Sequence, residues 1–128
     1  MYDKYLVTGA TGFLGRTVVE ELVHHDAQVR ALVLHNDPYI NLLPKEVHTI
    51  VGDVCDKNSL ADFFADADSR TCVIHCAGIV SVASRPSPKL YQVNVGGTRR
   101  ILRQCLEHDV GKLIHVSSVH AIPEKPEG

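Results

Sequence analysis

Apolar positions along this chain fall into two rhythms. Short, nearly continuous apolar runs lie at residues 5–8, 29–34, 47–51, 71–75 and 112–116, and each reads as a strand. The run at 29–34 is apolar except for Arg30 near its start, as a strand covered on both faces requires. Between the first two runs, Leu14, Val18, Val19, Leu22 and Val23 recur at helical spacing through residues 13–25. Asn58 or Ser59 can cap a short helix ending at Phe64, with Leu60, Phe63 and Phe64 turned inward. Ser87 followed by Pro88 reads as an N-cap with proline in the first helical position, which predicts a helix to about His108. Its inner stripe is Leu90, Asn94, Gly97, Ile101 and Cys105. Residues 35–44 and 79–86 read as loops, and 119–128 show no period. Strands and helices alternate without repeat or linker. That pattern predicts right-handed crossovers and an α/β fold with a parallel sheet between two helix layers.

In such a sheet, ligands bind outside the carboxyl ends of the strands. Those ends lie at residues 9–15, 34–37, 52–54, 76–79 and 117–118, and four of the five carry glycine or small polar residues. The first is the most informative. Gly9, Gly12 and Gly15 follow a strand at three-residue spacing and open a helix. Amides at a helix start point outward, and the helix dipole favours negative charge there, so this turn suits a dinucleotide pyrophosphate. Gly9 would permit the tight turn, Gly12 the approach of backbone to phosphate, and Gly15 close packing of helix on strand. A glycine-rich strand–helix turn without a ligand would share the pattern.

Composition narrows the field. The chain has 128 residues, which suffice for one domain with a real core. Net charge is −2 and aromatic content 5%, so there is no electrostatic footprint for nucleic acid. No apolar run approaches bilayer-spanning length, and the N-terminus runs into a strand without a secretory pattern. A cytoplasmic protein is expected. Cys55, Cys72, Cys76 and Cys105 form no CxxC pair. Cys72 and Cys76, four steps apart in one extended run, are separated by roughly 13 Å and cannot share a disulfide. Buried free thiols are expected, and no metal site.

Taken together, five motifs resemble the extended short-chain dehydrogenase/reductase superfamily, in its NAD-dependent epimerase/dehydratase branch. They are Thr-Gly-Ala-Thr-Gly-Phe-Leu-Gly from Thr8, Gly52-Asp53-Val54, His75-Cys76-Ala77-Gly78, Asn94-Val95-Gly96-Gly97-Thr98 and Val116-Ser117-Ser118. The resemblance covers essentially the whole chain and implies a Rossmann-type, three-layer α/β/α fold. It implies that Gly9, Gly12 and Gly15, with the Phe13 and Leu14 amides, hold the pyrophosphate, and that Thr11 supports the turn. Asp53 and Val54 would bind the adenine edge; a turn residue after Gly52 is the plainer role for Asp53. Ala77 and Gly78 would line the ribose. Ser118 matches the family's catalytic serine, with Ser117 as its neighbour. Asn94 is a poor helix former on an inner stripe, where a buried amide needs partners; the family role is to tie its helix to the strand ends beside the active site.

The pattern then breaks. The family's acid–base pair is a tyrosine with a lysine four residues later, where the ammonium lowers the phenol's pKa from about 10. Tyr2, Tyr5, Tyr39 and Tyr91 are followed four residues on by Leu6, Gly9, Leu43 and Val95, and only ten residues follow Ser118. The expectation is an NAD(P)-binding N-terminal portion, residues 1–128, of a longer enzyme, with the sheet incomplete on its C-terminal side. This portion alone would be inactive and prone to self-association through its fifth strand. NAD and NADP both stay open. Leu34 and His35 occupy the second strand's end, where an acid would indicate NAD and an arginine NADP. Asp37 lies two or three positions late. The whole protein would transfer hydride to or from a carbonyl or secondary alcohol of a small-molecule substrate. It could be a reductase, with some likeness to dihydroflavonol reductase, or a nucleotide-sugar epimerase/dehydratase. A homodimer of the full-length protein is also open. A non-catalytic dinucleotide sensor is the alternative.

Overall fold

The computed structural model describes residues 2–76 and 92–116, with the backbone alone for 92–94. Five strands, β1 (Lys4–Thr8), β2 (Val29–Val33), β3 (His48–Val51), β4 (Thr71–His75) and β5 (Lys112–His115), form one sheet. Its order is β3-β2-β1-β4-β5 and every pairing is parallel. The chain leaves β1 for one side, through β2 and β3, then returns to add β4 and β5 on the other. The carboxyl ends of β1 and β4 therefore flank the point where the winding reverses, the place where such sheets hold ligands.

Alternate residues of each strand feed opposite faces. Leu6, Leu32 and Val73 join Leu60, Phe63, Phe64, Ile101 and Cys105 in one core, beneath α2 (Leu60–Phe63) and α3 (Thr98–Glu107). Val7, Ala31, Val33 and Ile74 join Val19 in the other, beneath α1 (Phe13–His24). Each fully buried large apolar side chain contributes roughly 1.5–3 kcal/mol. The three-layer α/β/α architecture expected from the alternation is present.

Arg30, the charged residue of an otherwise apolar strand, is buried, and its Nη1 donates to the carbonyls of Phe63 and Ala65 at 2.9 and 2.7 Å. The Phe63 carbonyl ends the four-residue α2 and that of Ala65 lies just past its C-cap, where a helix end leaves acceptors without intrahelical donors.

Several local expectations are corrected. α2 is preceded by a 3-10 turn, Lys57–Ser59, capped by Asp56, whose carboxylate accepts from the Asn58 amide at 3.0 Å, and Ser59 holds the N-cap position of α2 without a side-chain cap bond. Ser59 instead turns its hydroxyl to the Asp53 and Asp56 backbone. The loop at 35–44 contains a one-turn 3-10 helix, Ile40–Leu42. The four cysteines are free, but only Cys72 and Cys105 are buried. Burial pushes both thiols upward, Cys105 to about 11. The long helix expected over 88–108 reads, from residue 92, as a π-helical turn, Gln92–Gly97, running into α3. The inner stripe holds where it is described: Ile101 and Cys105 lie in the core.

Candidate dinucleotide-binding site

The turn after β1 is built on one carbonyl. Gly9 sits at φ 65°, a conformation open to glycine without steric cost, and its carbonyl accepts from the Gly12 amide at 3.1 Å. A Cβ on Gly15 would lie 1.9 Å from that same oxygen. Only glycine lets the first turn of α1 rest directly on the end of β1. Gly12 is the N-cap residue; no side chain caps the helix, and no acid stands in its first turn. The helix start therefore has no side-chain anion of its own chain at its amides among the described residues. Phe13 and Leu14 beside it are 83% and 49% exposed, an apolar rim around the outward amides.

Thr11 ties the turn to the segment that follows β2. Its hydroxyl donates to Asp37 Oδ2 at 2.7 Å, while Oδ1 of the same carboxylate accepts from the Tyr39 amide at 2.9 Å. β2 ends at Val33, and the Asp37 amide donates back to the Leu34 carbonyl at 3.2 Å, with Asn36 at φ 62°. This turn folds the chain back toward β1. The sequence counts Asp37 as late for the strand end, but the turn returns its carboxylate to the glycine loop. His35, expected at that end, is exposed.

After β3, Oδ1 of Asp53 accepts from the Cys55 amide at 2.8 Å, and its own amide donates to the Ser59 hydroxyl at 2.9 Å. The plain turn role for Asp53 is therefore present. Val54, paired with it at the sequence level, is 6% exposed and commits its side chain to the core with Leu32 and Leu60.

The carboxyl end of β4 holds a polar cluster that the sequence reading had not assigned. His75 is buried, with Nδ1 2.7 Å from the Thr8 hydroxyl and Nε2 2.9 Å from the Thr98 hydroxyl. The Cys76 amide also donates to the Thr8 hydroxyl at 3.0 Å. The His115 ring stacks on His75 at a centroid distance of 5.3 Å. Burial first, and His115 second, push the His75 imidazole down to about 4, so it is neutral near pH 7. In the sequence His75 closes an apolar strand and opens the His75-Cys76-Ala77-Gly78 motif, but nothing there gives it partners, which lie 67 residues before and 23 after.

Asn94 lies in the π-helical turn that leads into α3, a helical irregularity frequent at functional sites. Ala77, Gly78, Ser117 and Ser118 lie outside the described residues; the strands that lead to them, β4 and β5, are adjacent and parallel.

Against known proteins, the model of the 3-beta hydroxysteroid dehydrogenase/isomerase family matches residues 6–127. The chain is 36% identical to 3 beta-hydroxysteroid dehydrogenase type 7 of Homo sapiens over 131 aligned residues, covering 97% of this chain and 35% of that protein. It is 34% identical to a provisionally named dihydroflavonol 4-reductase of Synechocystis sp., covering 100% of this chain and 36% of that protein. Among solved structures, the Thermus thermophilus UDP-glucose 4-epimerase complex with NAD superposes with a TM-score of 0.76 at 31% identity, covering 86% of this chain and 36% of that one. The chain thus spans about a third of the length of the curated relatives it matches. With a family model matched over nearly its whole length, this chain belongs to the 3-beta hydroxysteroid dehydrogenase/isomerase family, within the extended short-chain dehydrogenases/reductases.

Proposed function

We propose that residues 1–128 form the NAD(P)-binding portion of a longer oxidoreductase that moves hydride between a nicotinamide and a secondary alcohol or its ketone. The observation that carries this is the uncapped start of α1, seated on the Gly9 carbonyl through Gly15. Gly9, Gly12 and Gly15, with the Phe13 and Leu14 amides, hold the pyrophosphate. Ala77 and Gly78 line the ribose, and Asp53 with the Val54 backbone meets the adenine edge. Ser118, with Ser117 as its neighbour in sequence and Asn94 in support, hydrogen-bonds the substrate carbonyl or hydroxyl. The tyrosine–lysine pair comes from chain beyond residue 128, so this portion alone does not turn over. Relatives named for a 3β-hydroxysteroid support the alcohol class.

Asp37 supports NAD over NADP. Its carboxylate, fixed by Thr11 and the Tyr39 amide, stands beside the glycine turn, where an acid pairs with ribose hydroxyls and repels a 2′-phosphate. Among the described residues no helix is long and apolar enough to cross a membrane. A cytoplasmic enzyme, and a homodimer of it, complete the proposal.

The test is turnover of a 3β-hydroxysteroid by the full-length protein, followed by the absorbance of reduced nicotinamide. NAD-dependent turnover is expected, falling by about a hundredfold or more in Ser118→Ala. Absence of turnover with either cofactor, across hydroxysteroids and simple secondary alcohols, contradicts the proposal.

A further inference from the structure

His75 occupies a position that packing alone would give to an aliphatic residue. Val73 and Ile74, its neighbours in β4, fill the two cores. His75 is equally enclosed, at 1% exposure, and an imidazole there is tolerated only with its nitrogens paired. Both are paired, in opposite directions. Nδ1 meets the hydroxyl of Thr8, the residue directly before Gly9. Nε2 meets the hydroxyl of Thr98, the first residue of α3, four positions after Asn94. One ring therefore joins the root of the glycine turn, the end of β4 and the helix that follows the Asn94 turn.

We infer that His75 is a positioning residue of the cofactor site: a clamp that sets the glycine turn of β1 and the start of α3 at a fixed separation across the end of β4. This rests on the dinucleotide reading of that turn. The clamp has two arms. Through Thr8, whose hydroxyl also receives the Cys76 amide, it holds the strand end from which Gly9 turns. Through Thr98 it holds the last link between the π-helical turn and α3. A neutral ring satisfies both arms, since each threonine hydroxyl can donate to or accept from it. Among the described residues, the groups facing it from the packed elements are Thr8 on β1, Thr98 on α3 and the stacked His115 ring on β5. None is an acid that would favour the charged form, in keeping with its lowered pKa.

The arms can be cut separately in the full-length protein. In His75→Asn the short amide reaches the Nδ1 position and keeps the Thr8 arm. In His75→Gln the longer amide reaches the Nε2 position and keeps the Thr98 arm. His75→Phe keeps the ring and loses both. Two substrate-independent readouts follow each arm: the dissociation constant for NAD by calorimetry, and amide hydrogen exchange over residues 95–99. His75→Asn is expected to bind NAD within about twofold of wild type while exchange at 95–99 accelerates by about tenfold. His75→Gln is expected to reverse this, with NAD weakened by about tenfold, because a turn displaced by even a fraction of an ångström misplaces its amides. Thr98→Val should reproduce His75→Asn. A role in stability alone would lower the melting temperature of both amide variants without separating the readouts. Equal effects of His75→Asn and His75→Gln on both readouts, or none on either, overturn the clamp. A wild-type protein that fails to bind NAD overturns the cofactor reading instead, and the exchange data then still decide whether Thr98 is held through His75.

Discussion

Lowering the pH across the range in which free histidine titrates should destabilise this fold through one buried ring. The unfolded chain takes up a proton at His75 near the ordinary value of 6.5, whereas the folded chain resists until about 4. Above pH 6.5 both states are neutral at this site and it adds no pH dependence. Between 6.5 and about 4 the unfolded state binds the proton and the folded state does not, so stability falls as pH falls. Below about 4 both states are protonated and the loss stops growing. At roughly 1.4 kcal/mol per pH unit, the full loss is about 3 kcal/mol. That is a large share of the 5–15 kcal/mol typical of domains. The assay is urea denaturation from about pH 8 to about pH 4, in wild type and His75→Gln, because other titrating groups cancel in the difference between the two. Wild type should hold its greatest advantage over the variant near neutrality and lose most of it by about pH 4. A wild-type-minus-variant difference that stays constant across this range refutes the reasoning, and would mean that the ring titrates alike in folded and unfolded chains.

Other substitutions follow from the same contacts. Gly15→Ala gains helix propensity, about 1 kcal/mol, yet its Cβ would lie 1.9 Å from the Gly9 carbonyl oxygen; the net effect on thermal stability should be a loss of about 1–3 kcal/mol, and an unchanged or raised melting temperature contradicts this. Asp37→Asn removes the carboxylate that Thr11 and the Tyr39 amide hold, and should raise the ratio of NADP to NAD affinity by about tenfold or more, read by competitive titration. Arg30→Met leaves the Phe63 and Ala65 carbonyls without their buried donor, and should cost about 2–3 kcal/mol in chemical denaturation with little change in NAD affinity.

Much of the fold was legible because it is written in adjacent residues. The inner strands are compact apolar runs of the kind that a parallel sheet covered on both faces demands, and the runs at 5–8, 29–34 and 71–75 match β1, β2 and β4 to within a residue. The glycine turn was legible for the same reason: Gly9, Gly12 and Gly15 act within seven residues of one another. What escaped depends on residues far apart in sequence or on backbone geometry. Asp37 looks misplaced when counted along an extended strand, and only the turn with Asn36 in the left-handed region brings it to Thr11. Asp56 rather than Ser59 caps the turn before α2, because Ser59 is drawn to the Asp53 backbone. His75 reads as one more enclosed strand residue until Thr8 and Thr98 meet it from two other elements. The helical stripe through Ile101 and Cys105 gave the right face but not the π-helical turn carrying Asn94, since periodicity does not register one extra residue in a turn.

The central claim is that the uncapped helix start at Gly12, seated on the Gly9 carbonyl, holds a dinucleotide pyrophosphate. Calorimetric titration of the full-length protein with NAD, in wild type and in Gly15→Ala, tests it most directly. Saturable one-to-one binding by wild type, weakened by about a hundredfold or lost in a Gly15→Ala protein that still melts cooperatively, is the predicted result. Equal NAD affinity in the two proteins, or no binding by wild type, would contradict it.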